Sequence, residues 1–135
     1  MIRTNELMTG DLVYMEANRG YEAQYIQVET IPDASSKDHY GHIGAFPVGG
    51  DNDFRDIEDR HLFPIPLTPE ILEKNGFRYN DMPFVQGWEQ FGLTLYYGDN
   101  EYLINCGQNV AMKINAVHQL QHALQLCGIK KEIRL

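Results

Sequence analysis

The chain has 135 residues, 43% of them hydrophobic, with 19 acidic and 11 basic side chains and a net charge of −8. That length suits one domain, or one with two small lobes, and suffices to bury about two-thirds of the unfolded surface without metal or disulfide staples. The acidic balance excludes a broad phosphate-binding surface, because no basic run exceeds Lys130-Lys131.

No apolar run approaches the roughly 20 residues that span a bilayer. The opening residues 1–6 lack the apolar core of a signal peptide. Cys106 and Cys127 have neither disulfide-framework nor zinc-ribbon spacing, so reduced thiols in a cytoplasmic protein are expected. A single bridge fits the cysteine count but draws no support from the spacing.

Along the first half, short strands and turns follow one another. Thr9-Gly10-Asp11 is a turn leading to a strand at Leu12–Met15, and Asn18-Arg19-Gly20 is a second turn. Tyr25, Gln27 and Glu29 alternate with Ile26, Val28 and Thr30, the period of a strand with one buried face. Residues 34–38 form a polar loop, His42–Val48 another strand, and Asp51 to Asp59 an acidic loop anchored by Phe54 and Ile57. Strands this short and close, with no helix between them, predict a small antiparallel barrel.

Pro64-Ile65-Pro66-Leu67 is an extended connector into a short helix. Thr68 is its N-cap, Pro69 its first residue, and Gly76 its left-handed terminator, with Phe77 turning back toward Leu72. Residues 78–114 return to strands. Leu93, Leu95 and Tyr97 alternate with Thr94 and Tyr96, Gly98-Asp99-Asn100 is a hairpin turn, and Tyr102–Ile104 returns. Val110–Ile114 is a further strand, while Met82–Trp88 reads as either a strand or a loop. A last helix runs from an Asn115 N-cap to Gly128, with Val117, Leu120, Leu124 and Cys127 on one face. A 100° turn per residue sets His118, His122 and Leu126 opposite. Residues 129–135 form a tail or an edge strand.

Three segments carry a resemblance. They are the Leu-x-x-Gly-Asp-x-Val start at Leu7–Val13, the Pro-Ile-Pro-Leu-Thr helix start at Pro64–Thr68, and the Val-His-Gln-Leu-Gln helix at Val117–Gln121. In this order they resemble a group of small uncharacterised proteins of phages and mobile elements from anaerobic gut bacteria. The resemblance implies a shared architecture and a phage-related origin, and no activity.

Candidate chemistry is sparse. His118 and His122 stand four apart on one helix face, yet Gln119 occupies the position where a zincin helix needs glutamate. No Cys, Asp or Glu nearby completes a ligand set, leaving His39, His42 or His61 to approach in space. The Asp51–Asp59 segment departs from a calcium loop at its sixth position, Asp56, and its twelfth, Leu62. Ser35-Ser36 lacks the glycines of a nucleophile elbow, and Cys106 has no local base. Trp88, Phe91, Tyr96, Tyr97 and Tyr102 are suited to base stacking but lack neighbouring Lys or Arg, so core packing is expected.

The sequence therefore predicts an α+β protein. An N-terminal small SH3-like antiparallel β-barrel covers residues 1–66. A short helix, an antiparallel β-meander and a C-terminal helix packed on the sheet cover residues 67–135, as a second lobe or as part of one compact domain. No catalytic residue, metal ligand or cofactor is assigned. The expected role is a non-enzymatic accessory or protein-interaction protein, contacting a protein partner or itself through His118, His122, Gln125 and Leu126. Direct nucleic-acid or membrane binding is not expected. An acidic inhibitor that mimics nucleic acid, and a hydrolase or metal enzyme of unrecognised type, are the alternatives.

Overall fold

The computed structural model describes residues 1–31, 41–50, 53–82, 85–90, 92–98, 100–105 and 111–135. Their elements are α+β: two five-stranded antiparallel sheets and two α-helices among the described residues. The chain divides into two compact units, Met1–Ile65 and Pro66–Leu135.

The first unit grows from alternation. Strands β1 (Leu12–Met15), β2 (Gln24–Thr30), β3 (His42–Pro47), β4 (Arg55–Glu58) and β5 (Leu62–Phe63) form a sheet in the order β4-β3-β2-β1-β5. Its core is aliphatic: Val13, Ile26, Val28, Ile43 and Ala45 are fully buried, joined by Met15, Ile57 and Leu62. Burying side chains of this size stabilises by about 1.5–3 kcal/mol each. The opening motif closes the turn into β1. The Asp11 carboxylate, itself buried, accepts from the Met8 N–H at 2.8 Å, and Gly10 takes φ +95°, which a side chain would strain.

One expectation fails here. The acidic loop at Asp51 to Asp59 contains β4, paired with β3 through Ile43 opposite Ile57. A single inward side chain, Ile57, anchors a strand whose other residues are polar. Phe54, the other expected anchor, is half exposed, but its ring lies over Gly44, where an added Cβ would stand 2.2 Å from it.

The second unit begins with the predicted helix. The Thr68 hydroxyl accepts from the Ile71 N–H at 3.3 Å, and Pro69 opens α1 (Pro69–Lys74). Gly76 at φ +86° ends it, and the Phe77 N–H donates to the Leu72 carbonyl at 3.0 Å, the expected Schellman closure. A meander follows, in the order β10-β9-β8-β7-β6: β6 (Arg78–Met82), β7 (Val85–Gln90), β8 (Leu93–Gly98), β9 (Glu101–Asn105) and β10 (Ala111–Ile114). The ambiguous Met82–Trp88 segment thus contributes to two strands.

Helix α2 (Val117–Leu126) ends as predicted, with Gly128 at φ +73° and the Ile129 N–H donating to the Leu124 carbonyl. Its start shifts by one residue: Ala116 is the N-cap. Alanine offers no capping oxygen. Instead the Gln119 side chain reaches back and accepts from the N–H groups of Asn115 (2.7 Å) and Ala116 (3.2 Å). Pro66 and Ala116 form an isolated bridge, with the Leu67 N–H donating to the Asn115 carbonyl. The Pro64–Thr68 segment is therefore held to the two residues that precede α2.

Residues 129–135 are a tail and not an edge strand. Ile133 is buried, and the Asn75 amide clamps the segment by accepting from the Arg134 N–H and donating to the Arg134 carbonyl, both at 2.7 Å. Cys127 is disulfide-bonded, against the expectation of a reduced thiol. Sequence spacing holds no sign of this, because bridge geometry is set by how the folded chain brings sulfurs together. Cys106 lies outside the described residues. No helix among the described residues is long and apolar enough to cross a membrane.

Candidate functional site

The predicted contact face of α2 is only partly a surface. Gln125 and Leu126 are exposed, Leu126 at 75%, and His122 is half-buried. His118 is 4% exposed and so cannot meet a partner in the folded chain. Its ring stands edge-on to that of His122, with centroids 5.8 Å apart. The helix is buried over a wider arc than its apolar stripe suggests: Val117, His118, Leu120, Ala123 and Leu124 are all covered.

Among the described residues no ligand set assembles around the histidines. His42 faces Asp56 at 3.4 Å and His61 faces Glu16 at 3.0 Å, all within the first unit. His39 lies outside the described residues. Among the described residues no group of three or more His, Cys, Asp or Glu is placed to hold a metal ion. Two carboxylates of the described part of the acidic segment stand beside arginines. Glu58 pairs with Arg19 at 2.9 Å and with Arg60, and Asp53 stands 4.0 Å from Arg55.

An aromatic cleft lies elsewhere, in the second unit. Strand register lines up Tyr79 with Trp88 across β6 and β7, and Tyr97 with Tyr102 across β8 and β9. Directly paired residues share a face, and the pairing runs on from Trp88 to Leu95 and Ile104. All four aromatics therefore lie on the face that also carries the buried aliphatic residues. Trp88 and Tyr102 are buried, whereas Tyr79 is 53% and Tyr97 59% exposed. The rings meet in tilted pairs, Tyr79 with Trp88 at 5.4 Å and Tyr97 with Tyr102 at 4.8 Å.

These four rings and Tyr96 line an open cleft of about 880 Å³. Pro66, Leu67, Thr68 and Pro69, held by the bridge to Ala116 and the helix cap, form part of the lining, as does Glu73 of α1. Asn100, in the β8–β9 turn at φ +62°, and Asn115 add amide groups. Such a lining is apolar in bulk with a few polar groups, as ligand sites usually are. No Lys or Arg is part of the cleft lining among the described residues; Lys113, beside Tyr97 and Tyr102, is paired with Glu101 at 3.4 Å. Burial raises the Tyr102 hydroxyl above the usual phenol range, helped by neighbouring Tyr97 and by the negative charge of Glu70. Tyr102 thus stays a neutral donor at any ordinary pH.

Of the aromatic residues singled out in the sequence, Trp88 and Tyr102 are packed as expected. Tyr97 is not, and Phe91 lies outside the described residues. Sequence reasoning missed Tyr79, Glu73, Asn100 and Asn115. Only the pairing of Tyr79 with Trp88, nine positions apart across a turn, signals the first; the others meet through tertiary structure. The chain matches no known protein-family model, no curated protein and no solved structure.

Proposed function

We propose that this chain is a non-enzymatic accessory protein of a phage or mobile element, and that it holds a protein partner in the aromatic cleft of its second unit. The observation that carries the reading is the pair Tyr79 and Tyr97, large rings half exposed beside buried Trp88 and Tyr102 in one concavity. Aromatic anchors in a concave, partly desolvated patch are where binding energy concentrates. The phage origin rests on the resemblance of the three motifs. On this reading the first unit, proposed as an SH3-like barrel, is a companion module, and the exposed end of α2 at Gln125 and Leu126 is a secondary contact. A cytoplasmic location is the reading drawn from the cysteine spacing and the opening residues. The disulfide at Cys127 pulls toward an oxidising compartment, and thiol labelling in cells separates the two.

The test is co-purification from the native host with wild type and with a Tyr79→Ala, Tyr97→Ala double variant. Loss of the bound protein with an unchanged melting temperature supports the reading. Retention of the same protein overturns it.

A second reading, the acidic inhibitor that mimics nucleic acid, draws on charge placement. Residues 1–65 hold 12 acidic and 5 basic side chains, a net of −7, while residues 66–135 hold 7 and 6, a net of −1. Binding that weakens steeply with salt, and that survives loss of the two tyrosines, would favour it.

A further inference from the structure

We infer that the cleft takes an extended, proline-rich peptide segment carrying a Lys or Arg, seated with its basic residue against α1. The inference rests on the reading of the cleft as a partner site and names the partner's chemistry. Three observations converge on it.

The rings come first. Tyr79, Trp88, Tyr97 and Tyr102 offer tilted faces at two places along one floor, not a single enclosed pocket. Flat apolar proline rings fit such ridges, and a polyproline II segment loses little entropy on binding because it is already extended. The donors come second. A polyproline II backbone leaves every carbonyl without an internal partner. The Asn100 and Asn115 amides and the Tyr hydroxyls bordering the cleft are donors of matching type.

Charge comes third. Glu73 borders the cleft, and Glu70 lies three residues earlier on α1, near enough for its charge to be felt at Tyr102. Residues three apart on a helix are neighbours on one face. The cleft lining holds Glu73 and no Lys or Arg among the described residues, and Lys113, beside Tyr97 and Tyr102, is paired with Glu101 at 3.4 Å, so the charge of the cleft favours a cation over an acidic segment. A neutral sugar would stack on the same rings and donate hydroxyls to the carboxylates, but only a cation adds a salt-dependent attraction to them.

Trp88 is the chain's sole tryptophan and lines the cleft, so its emission reports occupancy directly. The full chain is titrated with a short synthetic proline-rich peptide ending in arginines. The same peptide with glutamates for arginines, the same peptide with alanines for prolines, and a neutral oligosaccharide serve as comparisons. The basic proline-rich peptide is expected to shift Trp88 emission with a Kd on the order of 10 µM. Binding should weaken about tenfold in Tyr97→Ala. It should weaken roughly threefold in a Glu70→Gln, Glu73→Gln variant, which also loses most of the salt dependence. Equal binding of the glutamate or alanine peptide, or binding of the oligosaccharide alone, overturns the inference. If no peptide binds while the native partner still depends on Tyr79 and Tyr97, the peptide chemistry is wrong and the cleft reading stands.

Discussion

The two units solve the same folding problem with different faces. Each is a five-stranded antiparallel sheet. The first closes on aliphatic side chains, with Val13, Ile26, Val28, Ile43 and Ala45 all at 0% exposure, and carries nearly all the net negative charge. The second buries Leu93, Leu95, Ile104 and Ile114 yet leaves Tyr79 and Tyr97 of the same face open in a cleft. Charge is therefore a poor guide to the candidate site in this chain. The acidic unit pairs part of its charge with its own Arg19, Arg55 and Arg60, whereas the nearly neutral unit has the aromatic cleft.

This contrast can be broken or sharpened by mutation. Ile26→Ala removes a fully buried side chain from the first core and should cost about 3–4 kcal/mol. Denaturant unfolding measures the loss, and peptide affinity at the cleft, corrected for folded fraction, should not change. If affinity falls in parallel, the cleft depends on the first unit and the division is wrong.

Asn75→Ala should cost about 2–3 kcal/mol. It strands the backbone N–H and carbonyl of Arg134 and a bond to the Ile71 carbonyl. Hydrogen exchange should rise in residues 129–135 first; unchanged protection there would contradict the clamp.

His118→Ala should destabilise by about 1–2 kcal/mol, because the ring is 4% exposed and packs against His122. A surface histidine would give a change within about 0.5 kcal/mol, so a thermal melt distinguishes core from contact.

The smallest effect is at high pH. The folded-state pKa of Tyr102 lies above its unfolded value of 10.0, mainly through burial. Its contribution to stability is intact below pH 10.0 and is lost as pH rises from there through the folded value, since the unfolded state gives up its proton first. Phenolate absorbance should show a late-titrating tyrosine that disappears in Tyr102→Phe. If no late component exists, the desolvated placement is wrong.

Much of this fold was legible because the signals are local. Thr68, Pro69 and Gly76 define α1 by cap chemistry alone, and alternation exposes β2 and β8. β4 was hidden because Arg55-Asp56-Ile57-Glu58 shows only one apolar side chain, and the partner that buries it, Ile43, lies far away in sequence. The α2 face was misread because period alone places His118 opposite the stripe, while packing covers a wider arc. The three resembling motifs prove to be fold determinants. Asp11 closes a turn, and Pro66 and Leu67 pair with Ala116 and Asn115, next to the Gln119 that caps α2. The cleft was illegible because it depends on register, which brings Tyr79 to Trp88 and Tyr97 to Tyr102, and on Pro66 to Pro69, which join its lining.

Partner contact at the cleft of the second unit is open to direct measurement. Amide hydrogen exchange of the complex purified from the native host, compared with the free chain, tests it most directly. Added protection is expected in β6 and β7 around Tyr79 and Trp88, across the Tyr97–Tyr102 pairing of β8 and β9, and at Leu67 and Thr68. Added protection confined to residues 1–65 would contradict it.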